Sequence, residues 1–500
     1  MPSTTHQSEY VAGAAATDHA ERARLRNVRP PEWRNPEPAR RYDLVVVGAG
    51  TAGLTAARLA AGRGKKVALL ERDLLGGTCL NIGCLPSKTI IRTARLYAEM
   101  RRAELYGAVA PTKIDVDFSL VMERMRRIRA RVSRLDSARD LAAAGIDLFF
   151  GRARFTELDT LAVGDTMLRF RRAIIATGAR PATPVIPGLA EAGYVTNENV
   201  LELTALPRRL MVIGGGPLGC EMAQAFCRFG ARTTIVQDWP LFLPREERDA
   251  AQILSDSFAR DGIEIRLDTR VVNVRVENGE KLVDLVHEDY RSTVAVDAIL
   301  AGVGRRPTVD GLDLESAGVE FDAVRGVHVD DFLRTANRRI YAAGDVCLED
   351  KFDNTAEASA VVAVGNALFR GRSRWTDMTI PWCTYTDPEI AHVGLYVRRG
   401  QEHGLSIKTF TILMHDVDRA IADGEEAGFV KIHVREGTDE IVGATIVASH
   451  AGEMISEVTL AMVAGIGLRQ LAKVIHPYPT QAGAIQQAAS ACARSMLSPA

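Results

Sequence analysis

An excess of charge of either sign is missing from this sequence. Its 62 Lys and Arg nearly cancel its 63 Asp and Glu, for a net charge of −1. A surface built for nucleic acid leaves a basic excess, so the balance excludes that class of partner. No apolar run approaches the ~20 residues that cross a bilayer. The first 40 residues are rich in Ala, Arg, Glu and Pro and hold no apolar stretch of signal-peptide length. Glu9, Asp18 and Glu21 interrupt the basic character of an organelle presequence. These absences predict a cytoplasmic protein with no membrane partner, whose residues 1–40 form a flexible tail.

Cysteine is sparse and badly placed for scaffolding. The seven are Cys79, Cys84, Cys220, Cys227, Cys347, Cys383 and Cys492. An odd, scattered set is not a secreted disulfide framework. No CxxC pair and no Cys/His cluster has zinc spacing, so no metal site is predicted. One redox pair among spectator thiols, in a reducing compartment, fits the pattern. Cys220, Cys227, Cys347, Cys383 and Cys492 read as core.

Glycine-rich turns carry most of what is present. Tyr42 to Val47 reads as a buried parallel strand running into Gly48-Ala49-Gly50-Thr51-Ala52-Gly53 and then an Ala-rich helix. A second strand ends at Glu71. Strand, glycines, helix, strand and acid together form a dinucleotide fingerprint in its required context. Gly48 permits the tight turn, Gly50 admits the pyrophosphate, and Gly53 lets helix and strand pack. The helix start offers N–H groups to phosphate, and Glu71 can accept the ribose hydroxyls.

The pattern returns at Arg209 to Gln237, with Gly214, Gly216 and Gly219 in the turn. The acid position now holds Gln237, which can hydrogen-bond either ribose, followed by Asp238. No arginine stands directly after the strand, where a 2′-phosphate finds its partner, so charge favours NADH over NADPH. Two units imply two dinucleotides, one a tightly held flavin and the other a transient nicotinamide.

Between these units lies Gly76-Gly77-Thr78-Cys79-Leu80-Asn81-Ile82-Gly83-Cys84-Leu85-Pro86-Ser87-Lys88. Pro86 suits a helix start, and a thiol there has a lowered pKa. Disulfide attack needs a thiolate and an accessible sulfur. The glycines allow close backbone approach to a planar ring. Lys88, four residues after Cys84, follows on the same helical face.

The coarse organisation is a tail (1–40), a first dinucleotide domain (41–188), a second (189–300), a return to the first (301–377) and a mixed α+β module (378–500). The fold class is therefore α/β, with two Rossmann-like domains for FAD and NAD(P) and a C-terminal α+β domain.

The cysteine segment, Ala176-Thr177-Gly178-Ala179-Arg180, Gly302-Val303-Gly304-Arg305-Arg306-Pro307 and Tyr341-Ala342-Ala343-Gly344-Asp345-Val346 together resemble the pyridine nucleotide-disulfide oxidoreductases. That family includes glutathione reductase, dihydrolipoamide dehydrogenase and mercuric reductase. The resemblance implies an FAD enzyme that uses NAD(P)H to cycle a Cys79–Cys84 disulfide. Cys79 would be the interchange thiol and Cys84 the flavin-facing one, with Lys88 paired to Glu221. Thr78, Thr177, Gly178, Asp345 and Lys88 would line FAD, and Gly304 the NAD(P) side. The resemblance also implies a homodimer built through the last domain, each site completed by the partner chain.

One departure stands out. Members that turn over glutathione or dihydrolipoamide carry His-Pro-Thr and then a Glu near the C-terminus. Here the chain reads His476-Pro477-Tyr478-Pro479-Thr480-Gln481-Ala482-Gly483, so Tyr478 takes the histidine's place and Gly483 the glutamate's. Tyrosine, with a pKa of about 10, is a poor base at neutral pH. His476 is retained two positions earlier as a candidate substitute. Tyrosine at this place resembles mercuric reductase, although a C-terminal vicinal cysteine pair is missing. The expected acceptor is a disulfide, a soft metal–thiolate complex or a small electrophile. Dihydrolipoamide dehydrogenase, mercuric reductase proper and a non-turnover redox sensor are the alternatives.

Overall fold

Tyr42–Val47 is buried at five of its six positions, so it needs a strand on each side and cover on both faces. A computed structural model supplies these neighbours; it describes residues 18–109, 111 and 113–497. Tyr42–Val47 pairs in parallel with Val67–Glu71 on one side and Thr166–Ile175 on the other. The sheet has seven strands. Ile146–Phe150 flanks Val67–Glu71, Thr160–Val163 and Ala153–Glu157 continue antiparallel beyond Thr166–Ile175, and Ile340–Ala342 also joins Thr166–Ile175.

The helices that position the site are α1 (His19–Val28), α2 (Thr51–Ala61), α3 (Gly77–Ile82), α4 (Cys84–Arg101), α5 (Phe118–Val132), α6 (Pro217–Phe229), α7 (Asp353–Leu368) and α8 (Ala451–Val463). Alanines on α2 (Ala52, Ala56, Ala57, Ala60) and α7 (Ala356, Ala360, Ala363) share one buried cluster with the sheet. Small side chains there let both helices lie close to the strands and bring their first turns together.

The second domain repeats the plan. A parallel sheet ordered Glu264–Arg266, Arg232–Val236, Arg209–Ile213, Ala298–Ala301 is joined by an antiparallel trio, Thr269–Glu277, Glu280–His287 and Tyr290–Val296. The chain then returns, Arg305–Pro307 pairing with Ala179–Pro181 before Ile340–Ala342 completes the first sheet. The last domain is a five-stranded antiparallel sheet with α8 and a final helix, Gly483–Leu497, over its apolar face. The architecture is two Rossmann-like dinucleotide-binding domains and a C-terminal α+β domain.

One local expectation needs correction. The flexible tail does not extend to residue 40. Residues 1–17 lie outside the described residues, but α1 is a docked helix capped by Asp18, whose carboxylate accepts from Ala20 N at 2.8 Å. Glu21, Arg24 and Val28 are buried along one face. That face is charged rather than apolar, so a hydrophobicity reading passes over it. Beyond α1, Trp33 donates to Leu148 O, and Asn35 exchanges hydrogen bonds with the Phe150 backbone, covering the sheet edge. The run from Phe118 to Ala143 is not one continuous helix. It gives way to a 3₁₀ turn after Val132, and Ser137 caps a new helix at Ala138.

Candidate active site

The first glycine loop is shaped by contacts that only glycine tolerates. Gly48 has φ +100°, and a Cβ there would lie 2.4 Å from Ala176 O. A Cβ on Gly53 would lie 1.8 Å from Gly48 O, so helix and loop meet backbone to backbone. Gly50 begins α2 with no side-chain cap, which leaves first-turn N–H groups open to a phosphate. Gly77 of the cysteine segment lies against it; a Cβ on Gly77 would reach within 2.6 Å of Gly50 Cα. Glu71 accepts from Ala49 N and Asp73 N, each at 2.8 Å, and burial raises its carboxyl above the ordinary range. Each oxygen keeps further acceptor capacity.

Arg305 ties the return segment to this cleft. Its guanidinium pairs with Asp345 Oδ2 (3.0 Å) and donates to Thr78 Oγ1 (3.3 Å) and Ala179 O (2.9 Å). Burial raises the Asp345 carboxyl against the pull of Arg305 and Lys351. Thr177 donates to Thr308 O at 2.7 Å, and Gly178 turns the chain with φ +67°. Arg305 Nε is buried without a partner among the described residues. An uncapped helix start, a glycine cradle and an orphaned donor fit the phosphates and polar chain of a flavin dinucleotide.

The second loop repeats this chemistry. Gly214 has φ +100°, and a Cβ there would meet Gly302 O at 2.6 Å; one on Gly219 would meet Gly214 O at 2.1 Å. Gly216 starts α6 without a side-chain cap. Gln237 accepts from Gly215 N through Oε1 (2.7 Å), as Glu71 accepts from Ala49 N. Its carbonyl is thus engaged inside the chain but keeps a second lone pair, and its amide nitrogen is left to donate to a ribose. Asp238 is exposed beside it, and Gly304 turns at φ +106°.

Cys79 lies in α3, and Cys84 is the first residue of α4. Gly83 separates them in a conformation away from both helices, φ −133° and ψ −117°. Helix α4 starts two residues before Pro86, which a first turn tolerates because its N–H groups have no intrahelical partner. Both cysteines are free thiols, Cys79 half-buried and Cys84 exposed. A hydrogen bond from Cys79 lowers Cys84 below the ordinary thiol range, and Lys88 adds to this against burial. The same hydrogen bond, then burial, raises Cys79. The pair is therefore polarised, with the anion favoured on Cys84 and the proton on Cys79.

Lys88 Nζ bonds both Glu221 oxygens, at 2.9 and 3.1 Å, across α4 and α6. Burial opposes the ammonium charge, but the Glu221 carboxylate raises Lys88 above its usual range. Tyr385 donates its backbone N–H to Glu221 (2.9 Å), and its ring lies 4.5 Å from Lys88 Nζ. Burial pushes the Tyr385 phenol up to about 12.

Three residues here escape a sequence reading. Asp353 opens α7 and accepts from Thr51 Oγ1 at 2.5 Å, and its negative charge raises the Cys79 thiol. Glu389 accepts from Gly452 N at 2.9 Å, and burial pushes its carboxyl up to about 7. Cys383, expected as inert core, borders Glu389 and the Lys88–Glu221 pair. No local motif marks them, because their place follows from packing between separate elements. The other spectator thiols differ: Cys220 and Cys492 are buried and Cys227 and Cys347 half-buried, and Cys220, Cys227 and Cys347 donate to the backbone.

Within one protomer His476 and Tyr478 bond to their own domain. His476 Nε2 meets Glu457 of α8 at 2.9 and 3.1 Å, and Nδ1 faces Val474 O at 3.3 Å. Both ring nitrogens face oxygen acceptors, so neither turns a lone pair outward. Tyr478 is 81% exposed and donates to Asp418 Oδ2 at 2.8 Å, which raises its phenol. Gly483 starts the last helix and has no side chain to orient either.

Among the described residues no cluster of three or more His, Cys, Asp or Glu is arranged to hold a metal ion. No described helix is long and apolar enough to cross a membrane. The family described as pyridine nucleotide-disulphide oxidoreductase matches residues 42–367, and its dimerisation domain matches residues 380–489. The chain is 34% identical over 455 residues to mercuric reductase of Streptomyces lividans, spanning 90% of this chain and 95% of that one. It is 31% identical over 462 residues to dihydrolipoyl dehydrogenase of Thermus scotoductus, at 90% and 97% coverage. In structure it resembles the HOCl-induced flavoprotein disulfide reductase RclA of Escherichia coli, with a TM-score of 0.81 at 28% identity over 90% of this chain and 99% of that one. LpdA of Mycobacterium tuberculosis gives 0.82 at 28% identity over 92% and 100%. The matching domains, the paired glycine loops and the polarised cysteines agree: the chain belongs to the pyridine nucleotide-disulphide oxidoreductases, homodimeric FAD-dependent enzymes that use NAD(P)H to cycle a disulfide.

Proposed function

We propose that this enzyme uses NADH to open a Cys79–Cys84 disulfide and passes the electrons to a soft metal–thiolate complex or small electrophile. One observation carries the choice of acceptor. At the positions where the family's dithiol-using members hold a histidine and its glutamate, this chain has Tyr478 and Gly483. Tyr478 is committed to Asp418 and His476 to Glu457. Exchange with a protonated dithiol needs a base near neutrality to collect the proton. A soft cation does not, because binding to sulfur itself expels the thiol proton. Mercuric reductases at 34% identity are among the relatives, which supports the same choice.

The geometry supports the following residue roles. Gly48, Gly50, Gly53, Glu71, Thr78, Thr177, Gly178 and Asp345 would hold FAD, and Gly214, Gly216, Gly219, Gln237 and Gly304 the nicotinamide dinucleotide. Bound FAD supplies the two-electron relay between nicotinamide and disulfide. Cys84 holds the thiolate, stabilised by Cys79 and Lys88. Cys79 keeps its proton until the acceptor displaces it. Glu221 neutralises and orients Lys88. The exposed Asp238 repels a 2′-phosphate, which favours NADH.

The test is anaerobic turnover of the dimeric holoenzyme with a panel of acceptors. Sustained NADH oxidation with an Hg(II)–thiolate complex, and little with lipoamide, is the expected outcome. Lipoamide turnover that matches or exceeds it overturns the acceptor, and a higher kcat/KM for NADPH overturns the donor.

A further inference from the structure

Helix α1 lies outside residues 42–367, the span matched by the oxidoreductase family. It nevertheless reaches the segment between the two cysteines. Glu21 pairs with Arg24 on its own helix and with Arg129 of α5 at 2.8 Å. Arg24 then donates through Nη1 to Asn81 Oδ1, and Arg129 donates through Nη1 to Asn81 O at 2.8 Å. All four of these residues are 5% exposed or less. Asn81 completes the cluster by donating to Leu75 O and Gly77 O, both at 2.9 Å.

The physical content lies in what Asn81 is. It is the next-to-last residue of α3, so its carbonyl is among those a helix end leaves unpaired. Arg129 fills that vacancy, and the Asn81 side chain ties the helix end back to its start. Cys79 rides on this one short helix and Cys84 on the next. Holding charges this deep in protein is expensive unless they are paired, and in this cluster only Arg129 Nε has no partner among the described residues. Burial raises Glu21, but the two arginines bring its carboxyl below the ordinary range.

We propose that α1 is a brace for the redox segment, with Arg24 a positioning residue that acts through Asn81 to hold Cys79 against Cys84. The inference rests on Cys79 and Cys84 being the redox couple. A braced pair has a high effective concentration of one sulfur against the other, which favours the disulfide. Arg24→Met removes the donor to Asn81 yet leaves Glu21 paired with Arg129, so no buried charge is stranded.

The test equilibrates full-length holoprotein with glutathione and glutathione disulfide, quenches with acid and maps the alkylated thiols by mass. In that exchange two glutathione thiols join while the Cys79–Cys84 bond opens, and the two hydrogens pass to the protein sulfurs or to solvent. Arg24→Met is expected to lower the constant for forming the protein disulfide about tenfold, a rise of about 30 mV in potential. Arg24→Lys, which keeps the charge and one donor direction, restores most of it. A shift under about twofold, with or without a fall in Tm, overturns the brace. If no couple titrates in the unmutated protein, the cysteine assignment fails and the inference with it. Hydrogen exchange on the unmutated protein gives a second arm that survives a misfolded variant. Amides of α1 and α3 are expected to open together, and free opening of α1 over a protected α3 overturns the proposal.

Discussion

The substitution Glu389→Gln isolates one buried carboxyl whose ionisation falls near neutral pH. Burial pushes this group from 4.5 up to about 7, against the Gly452 N–H and Arg95, which favour its charge. Its folded pKa is raised, so the native state holds a proton that the unfolded chain has released between about pH 4.5 and about 7. Stability from this source is full below the unfolded value and is lost as pH climbs through the folded one. At about 1.4 kcal/mol per pH unit the span is worth about 3 kcal/mol, and partial contact with water brings it nearer 2. The amide that replaces the carboxyl mimics the neutral acid and does not titrate. Urea unfolding of the two holoproteins side by side cancels the groups they share. The gap between variant and wild type should widen in the variant's favour, by about 2–3 kcal/mol, from pH 4.5 to above 7. Parallel curves, or a wild type that gains on the variant as pH rises, refute the reasoning.

Lys88→Met takes away a cation that favours the Cys84 thiolate and leaves the Glu221 carboxylate facing it. Cys84 alkylation by iodoacetamide should then need higher pH; adding Glu221→Gln should bring it part of the way back. Asp353→Asn works with the opposite sign, since that carboxylate raises both thiols, and alkylation of both should begin at lower pH. Tyr478→His alone should leave lipoamide activity within about tenfold of the parent, because Gly483 supplies no carboxylate to orient the ring. Recovery of activity typical of a dihydrolipoyl dehydrogenase from that one change contradicts the account, and steady-state NADH formation from dihydrolipoamide measures it.

The legible parts of this protein are those where one residue type is required by local geometry. Gly48 and Gly214 both need φ near +100° and both lack room for a Cβ, so the loops read directly from the letters. The cysteine segment is legible because its glycines and its helix start stand in one short stretch. Glu221 is different. It is one acid on a helix, singled out only through resemblance, and its pairing with Lys88 depends on how α4 packs against α6. Asp353 and Glu389 carry no local signal at all, since burial and neighbours from distant elements make them unusual. Helix α1 was hidden for another reason. Its inward face is Glu21 and Arg24, and charge on a polar stretch reads as solvated until partners such as Arg129 and Asn81 are brought to it. The His476–Glu457 contact likewise joins two elements that the sequence keeps apart.

The central claim is that Cys79 and Cys84 form the couple that NADH reduces. Air-oxidised holoenzyme and the same protein after anaerobic NADH should each be acid-quenched, alkylated and mapped by mass. The account predicts a Cys79–Cys84 disulfide before NADH and both residues alkylated after it, with Cys220, Cys227, Cys347, Cys383 and Cys492 unchanged between the two samples. An identical pattern in both samples, or a change confined to any other cysteine, contradicts it.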